Sequence, residues 1–125
     1  MLKNQAALSE VLKKEGVVAI GTEGKQGTHL VATWNSFLQV IDQQTLAIPA
    51  GGYLLTQENV EAGSRVQLII GSKEVAGKSG PGTGFRITAE ASFREEGAAY
   101  QVIKEKFPWA RAAFLLEIKD VECLL

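Results

Sequence analysis

Four neighbouring residues, Thr33-Trp34-Asn35-Ser36, carry side chains well suited to holding a ligand. They follow the apolar run Leu30–Ala32, where a strand would ordinarily keep alternating or stop at a glycine or proline turn. A large aromatic ring between a hydroxyl and an amide offers an apolar face and a hydrogen-bonding rim to a flat, polar-edged ligand. The alternative interpretation is a buried tryptophan beside an Asn-Ser turn.

A second segment, Ala50-Gly51-Gly52, can bring bare backbone close to a ligand, because glycine has no Cβ. Thr56 follows as the expected N-cap of a short helix that ends near Gly63. The start of a helix offers free N–H groups, which together with a hydroxyl suit a phosphate. A plain helix cap without a ligand is the alternative role for Thr56.

The chain contains few of the side-chain motifs that catalyse reactions. His29 and Cys123 are the single histidine and the single cysteine, too few for an internal disulfide or a typical zinc site. Neither a Gly-x-Ser-x-Gly nucleophile turn nor a Gly-x-x-x-x-Gly-Lys-Ser/Thr phosphate loop occurs. We therefore expect no catalytic acid, base or nucleophile, and difficult chemistry would have to come from a bound cofactor.

Composition is that of an ordinary globular protein, with 46% hydrophobic and 22% charged residues. The net charge of −1 argues against a nucleic-acid surface, which needs a basic face. No run approaches the roughly 20 apolar residues that span a bilayer, and the first residues lack the apolar core of a signal peptide. We expect a cytoplasmic protein that binds neither nucleic acid nor a membrane.

The elements that must position these residues are mostly short strands. An amphipathic helix is expected over 4–15, a second from Thr56, and a third over 97–107, while the glycine-rich segment 71–84 is expected to be a loop. The expected strands are Val17–Thr22, Thr28–Trp34, Phe37–Ile41, Thr45–Pro49, Arg65–Gly71, Phe85–Arg94 and Ala112–Ile118. Parallel strands would need crossover helices for which these connections are too short. The pattern favours a mainly β, antiparallel barrel with peripheral helices, and one domain over 1–125.

Six short motifs along the chain occur in an order typical of one known family. They are KKEGVVAI at 13–20, TWNS at 33–36, GG at 51–52, TQENV at 56–60, GPGTGF at 80–85 and WARAA at 109–113. Essentially the whole chain resembles the FMN-binding split-barrel family, whose superfamily also contains pyridoxamine 5'-phosphate oxidases. The resemblance implies a six-stranded antiparallel split β-barrel, a homodimer, and one noncovalent FMN per subunit near the dimer interface.

The resemblance also implies which residues hold the cofactor, with Thr33 and Trp34 beside the isoalloxazine ring. The expected cofactor-binding residues are Thr33, Trp34, Asn35, Ser36, Ala50, Gly51, Gly52, Leu55, Thr56, Lys78, Trp109 and Leu125. Many relatives carry a lysine directly before the threonine of the helix start, whereas this chain has Leu55. We expect Lys78 or Lys73 to neutralise the FMN phosphate instead, the alternative being two solvated loop lysines.

Two further expectations rest on the resemblance. Leu125 would reach over the partner subunit's flavin, with Trp109 also contributing across the interface; the alternative is that Leu124 and Leu125 cover their own barrel. Glu15, at the end of the first helix, would tune the flavin potential by its charge, the alternative being a solvated helix end.

The function favoured on this basis is an FMN flavoprotein that exchanges electrons with a redox partner protein. The alternative within the same superfamily is an oxidoreductase, either an NAD(P)H-dependent flavin reductase or an oxidase of a small substrate. An enzyme would need an open site beside the ring, so aromatic cover of the ring favours the electron carrier. A dimeric binding module without flavin is the third possibility.

Overall fold

One antiparallel sheet of seven strands forms the fold in the computed structural model, which describes residues 5–125. The strands are β1 (Val17–Gly24), β2 (Gly27–Trp34), β3 (Gln39–Asp42), β4 (Thr45–Ala50), β5 (Val66–Gly77), β6 (Gly80–Arg94) and β7 (Ala112–Cys123). The helices are α1 (Ala6–Leu12), α2 (Leu54–Glu61) and α3 (Ala98–Lys106), and a 3-10 turn covers Asn35–Phe37. The prediction of a mainly β, antiparallel fold with peripheral helices is confirmed.

The strands lie in the order β2-β1-β5-β6-β7-β4-β3, with every neighbouring pair antiparallel. The sheet has the seven strands that the sequence pattern indicated, one more than the family resemblance implied, and the four-residue β3 is a short edge strand beside β4. β3 begins at Gln39 and not at Phe37 as expected, since the chain first coils through the 3-10 turn. That turn carries the chain from β2 at one edge of the sheet to β3 at the other.

Alternating residues on the strands meet in one core, so the sheet is curled around it. Its fully or almost fully buried members include Val18, Ile20, Leu46, Ile48, Leu68, Ile70, Phe85, Ile87, Phe114, Leu116 and Ile118. Burial of each large side chain contributes about 1.5–3 kcal/mol. A second cluster lies under α3, where Ile103 contacts Phe107 and the outward face of β4 and β7. This contact fixes the segment after α3 next to the end of β4.

The prediction of a loop over 71–84 was wrong, because β5 continues to Gly77 and β6 starts at Gly80. Residues 77–80 make the turn of this hairpin. A Cβ at Gly71 would lie 2.8 Å from the Thr83 carbonyl oxygen, and one at Gly77 would collide with the Gly82 carbonyl. The glycines therefore allow two backbones to come close, a role that cannot be told from a turn signal without the partner strand.

Two helix boundaries also differ from expectation. α1 ends at Leu12, short of Glu15, and its expected first residue, number 4, lies outside the described residues. Thr56 is not an N-cap: α2 starts at Leu54, so Thr56 lies within its first turn. The N-cap is Tyr53, which takes the left-handed backbone conformation at φ 64° and makes no side-chain cap. Within residues 5–125 no helix is long and apolar enough to cross a membrane.

Candidate functional site

A cavity of 310 Å³ lies where β2 and β4 end, and we call it the Trp34 cavity. It is lined by Ala32, Thr33, Trp34, Phe37, Pro49, Gly51, Gly52, Tyr53 and Trp109. Thr33 and Trp34 lie at the end of β2, both glycines lie in the loop after β4, and Trp109 lies in the segment between α3 and β7. The fold thus brings together five of the residues expected to bind the cofactor.

Two tryptophans give this cavity exposed aromatic surface. Trp34 is 47% exposed and Trp109 is 56% exposed, although both are large apolar side chains. Trp109 is held by ring contacts to Phe37 and Phe107, with centroids 6.0 and 5.8 Å away. A Cβ at Gly51 would lie 3.2 Å from the Trp109 ring, so glycine leaves room for the tryptophan. Fixed, exposed ring faces are suited to a flat ligand.

Tyr53 is a member of the site that sequence reasoning missed. Its hydroxyl donates a 2.9 Å hydrogen bond to the Ala32 carbonyl, which ties the start of α2 to β2. Burial raises the pKa of Tyr53, and a hydrogen bond with Thr33 partly offsets this, so the phenol is neutral at pH 7. A bulky residue at positive φ stores about 1–3 kcal/mol of strain. In the sequence, its position directly after Gly51-Gly52 was the one feature that could have indicated a place in this site.

Arg111 was also missed, and it fixes the loop that carries the glycines. Its backbone N–H donates to the Ala50 carbonyl at 2.8 Å. Its guanidinium donates to the Gly52 carbonyl from Nη2 at 2.6 Å and from Nε at 3.2 Å. The same group lies 5.6 Å above the centre of the Phe93 ring. Only its place in the WARAA motif marked this residue in the sequence.

A second and larger cavity of 1070 Å³ lies beside the hairpin of β5 and β6, and we call it the hairpin cavity. Lys73, Lys78, Glu15, Leu124 and Leu125 line it together with the glycines of the hairpin. The end of the chain is bonded to the hairpin: Lys78 N–H and the Thr83 hydroxyl both donate to the Leu125 carbonyl at 3.1 Å. Leu125 remains 62% exposed. Lys78 and Leu125 thus line a different cavity from Trp34.

Glu15, in the segment between α1 and β1, contacts Ser36 in the 3-10 turn. The Ser36 hydroxyl donates to Glu15 Oε2 at 2.9 Å, and the Ser36 N–H lies 3.4 Å from Oε1. The hydrogen bond from the Ser36 hydroxyl is the main cause that lowers the pKa of Glu15; desolvation opposes it, and the N–H groups of Ser36 and Gly16 lower the pKa further. Glu15 is therefore a negative charge at neutral pH at the edge of the hairpin cavity.

Asn35 and Thr56 are both buried and line neither cavity. Asn35 Nδ2 donates to the carbonyls of Val11 and Gly71, at 3.3 and 3.4 Å, and so joins α1, the 3-10 turn and β5. Among residues 5–125, neither Asn35 Oδ1 nor Thr56 Oγ1 has a hydrogen-bond partner. The expectation that Asn35 contacts a ligand rim stays a prediction, and in this structure its amide joins backbone segments instead.

The remaining expected residues are placed as follows. Ala50 is buried in the ladder opposite Ala112, and Leu55 is 48% exposed on α2. In the described part of the chain, no group of three or more His, Cys, Asp or Glu residues could hold a metal ion. The Trp34 cavity presents hydroxyls, backbone groups and aromatic rings, a set suited to an aromatic, hydrogen-bonding cofactor.

Comparison with known proteins gives a sequence relative and several structural ones, although no family model matches the chain. The chain is 49% identical over 113 residues to the FMN-binding protein of Nitratidesulfovibrio vulgaris (strain DSM 19637 / Miyazaki F), covering 90% of this chain and 92% of that protein. An FMN-binding protein from Syntrophomonas wolfei subsp. wolfei is similar in structure at a TM-score of 0.74 and 13% identity, covering 99% of this chain and 90% of that one. HupZ from Group A Streptococcus is similar in structure at a TM-score of 0.75 and 15% identity, covering 92% of this chain and 89% of that one. At 13% and 15% identity, these two structures support the fold assignment only.

Proposed function

Because this chain belongs to the family of FMN-binding proteins with the split-barrel fold, we propose that it carries electrons on an FMN bound in the Trp34 cavity. The observation that carries this proposal is the pair of exposed tryptophan faces beside a glycine loop. Bound FMN supplies the electron-transfer chemistry, and the protein supplies burial, hydrogen bonds and nearby charge.

The residues of the cavity fit the parts of the cofactor. Trp34 and Trp109 offer apolar surface to the isoalloxazine ring, and Thr33 offers a hydrogen bond to its rim. Gly51 and Gly52 expose backbone next to the first turn of α2, whose N–H groups suit the phosphate. Thr56 would contribute its N–H in this arrangement, since its hydroxyl is buried.

The titratable side chain that the described lining contains is Tyr53, whose hydroxyl is already bonded to the Ala32 carbonyl, and this favours an electron carrier over an enzyme. Among the described residues, those that line the Trp34 cavity include no Asp, Glu, His, Lys or Cys. A reductase or an oxidase would need a group to bind or protonate its substrate beside the ring. The electrons would then pass to and from a redox partner protein.

The division of the expected residues between two cavities supports a homodimer. Leu125, expected to cover the flavin, lines the hairpin cavity and not the Trp34 cavity, so a second copy would have to bring it to the flavin. The outer face of β1, β2 and β5 exposes Val17 at 58%, Leu30 at 69% and Ile69 at 44%. Such an apolar patch marks an interaction surface, and a second copy of this chain is the occupant that would complete the site.

The test is to purify the protein, record its visible absorbance, and identify the released chromophore by mass. We expect a yellow protein that releases about one FMN per chain, is reduced by a chemical donor, and consumes NAD(P)H no faster than free FMN does. Steady NAD(P)H consumption would favour the flavin reductase instead. A colourless protein that takes up no added FMN would contradict the proposed function.

A further inference from the structure

Arg111 places a positive charge on the loop that lines the Trp34 cavity. Its guanidinium donates two hydrogen bonds to the Gly52 carbonyl, which holds the group against the loop. The ring of Phe93 on the other side limits its movement further. The charge therefore has a fixed position, unlike that of a lysine on a flexible stem.

The guanidinium has bonding capacity left over. Arginine has five N–H donors and stays charged at every relevant pH, and only two of the donors are directed to Gly52. In the part of the chain that the structure describes, no carboxylate forms an ion pair with Arg111. The remaining N–H groups and the whole positive charge are available to an anion.

Among the described residues, no other cation hydrogen bonds to this loop, and Lys104 Nζ donates instead to the Pro108 and Ala110 carbonyls beside Trp109. α2 begins two residues after Gly52 with no side-chain cap, so its first N–H groups are free for an anion. Leu55, in that first turn, carries no charge, and Glu58 in the next turn is negative. Lys73 and Lys78 line the hairpin cavity instead. Arg111 is the cation that hydrogen bonds directly to this loop.

We propose that Arg111 binds the phosphate of FMN and makes this site select FMN over riboflavin. The proposal rests on the proposed function, since it concerns the same cavity. It gives the charge-pairing role expected of Lys78 or Lys73 to a residue of the same subunit that binds the ring. A planar guanidinium can offer two parallel hydrogen bonds to phosphate oxygens, which also orients the cofactor.

The experiment measures the dissociation constants of FMN and riboflavin for the apoprotein, by quenching of flavin fluorescence. Wild type is compared with Arg111→Gln, which removes the charge, and Arg111→Lys, which keeps it. We expect Arg111→Gln to weaken FMN binding about 10- to 100-fold while riboflavin binding changes much less. Arg111→Lys should retain most of the preference, and salt should reduce the preference of wild type.

Controls separate this role from support of the loop and from the lysines. Lys73→Ala and Lys78→Ala should leave the preference for FMN intact. If Arg111→Gln weakens the binding of FMN and of riboflavin equally, Arg111 only supports the loop, and the proposal is overturned. The proposal is also overturned if Lys78→Ala loses the preference for FMN while Arg111→Gln keeps it. If Arg111→Gln fails to fold, the salt dependence of wild type decides: a preference for FMN over riboflavin that does not change with salt concentration overturns the proposal. A wild type that binds neither flavin would contradict the proposed function itself.

Discussion

Trp34 ends β2 with its ring partly in solvent, and the proposed site depends on that ring. Trp34→Ala would remove an aromatic face from the cavity, and we expect FMN affinity to fall about tenfold, since a ring contact contributes about 0.5–1.5 kcal/mol beyond the area it buries. The measurement is a titration of apoprotein with FMN.

The conservative variant Trp34→Phe serves as the control, because it keeps an aromatic face at the same backbone position. It should retain most of the affinity. If Trp34→Ala binds FMN as tightly as wild type and keeps the same redox potential, the ring does not contact the cofactor.

The contact between Ser36 and Glu15 predicts a pH-dependent effect on stability. Because the hydrogen bonds of Ser36 lower the pKa of Glu15 in the folded protein, the contact stabilises the fold above the ordinary glutamate pKa of about 4.3. This stabilisation is lost as the pH falls through the lower pKa of the folded state. Ser36→Ala should therefore unfold more easily than wild type at neutral pH, with the difference shrinking in acid.

Urea unfolding of both proteins at a series of pH values measures this difference. Ser92→Ala is a suitable control, since the Ser92 hydroxyl accepts a 3.0 Å hydrogen bond from Arg94 Nε and is not bonded to a carboxylate of the described residues. A Ser36→Ala difference that stays constant down to the lowest pH would show that Glu15 does not contribute through this bond.

At the scale of elements, the hairpin of β5 and β6 depends on its glycines. Gly77→Ala would place a methyl group against the Gly82 and Leu125 carbonyls, both of them backbone atoms that cannot rotate away. We expect a loss of about 1–3 kcal/mol of unfolding free energy and displacement of the chain end that the hairpin holds. Thermal and urea unfolding measure the first effect.

Gly84→Ala on the same hairpin is the matched control. A Cβ there would lie 3.5 Å from the Ile70 carbonyl oxygen and from the Leu125 side chain, which is ordinary contact. Its effect on stability should be clearly smaller. Equal effects at Gly77 and Gly84 would mean that close approach of the backbones is not the reason for glycine at 77.

For the whole molecule, the apolar face of β1, β2 and β5 predicts how copies associate. Ile69→Glu would place a charge in the middle of this face, where burial of an unpaired charge is costly. We expect the variant to be monomeric by light scattering and to bind FMN more weakly, because the proposed site needs residues of a second copy. Val40→Glu, at an exposed apolar residue of the edge strand β3, is the control and should leave the dimer intact.

If wild type is monomeric and still binds FMN, the predicted homodimer is wrong, and the Trp34 cavity of a single chain is sufficient for FMN binding. A dimer that persists in Ile69→Glu would instead place the interface on another face of the barrel. The two outcomes are distinguished by the mass measured for wild type.

Much of the fold could be predicted from short stretches of sequence. Val66, Leu68 and Ile70 alternate with more exposed residues, and this period of two fixes a strand wherever it meets a core. Thr33, Trp34, Gly51 and Gly52, which the family resemblance assigned to one cofactor, line one cavity, and their contact with FMN stays a prediction. The hairpin over 71–84 was missed because glycine marks both turns and close strand contacts.

By itself, the sequence determined most of the strands and the antiparallel class, because these depend on the local alternation of residues and on connections too short for crossover helices. Only the tertiary structure decided that Asn35 points to Gly71, 36 residues away, and that Arg111 reaches Gly52, 59 residues away. It likewise separated Lys78 and Leu125 from the Trp34 cavity. Such contacts follow from the order of strands in the sheet, which joins distant segments and leaves no periodic signal in either of them.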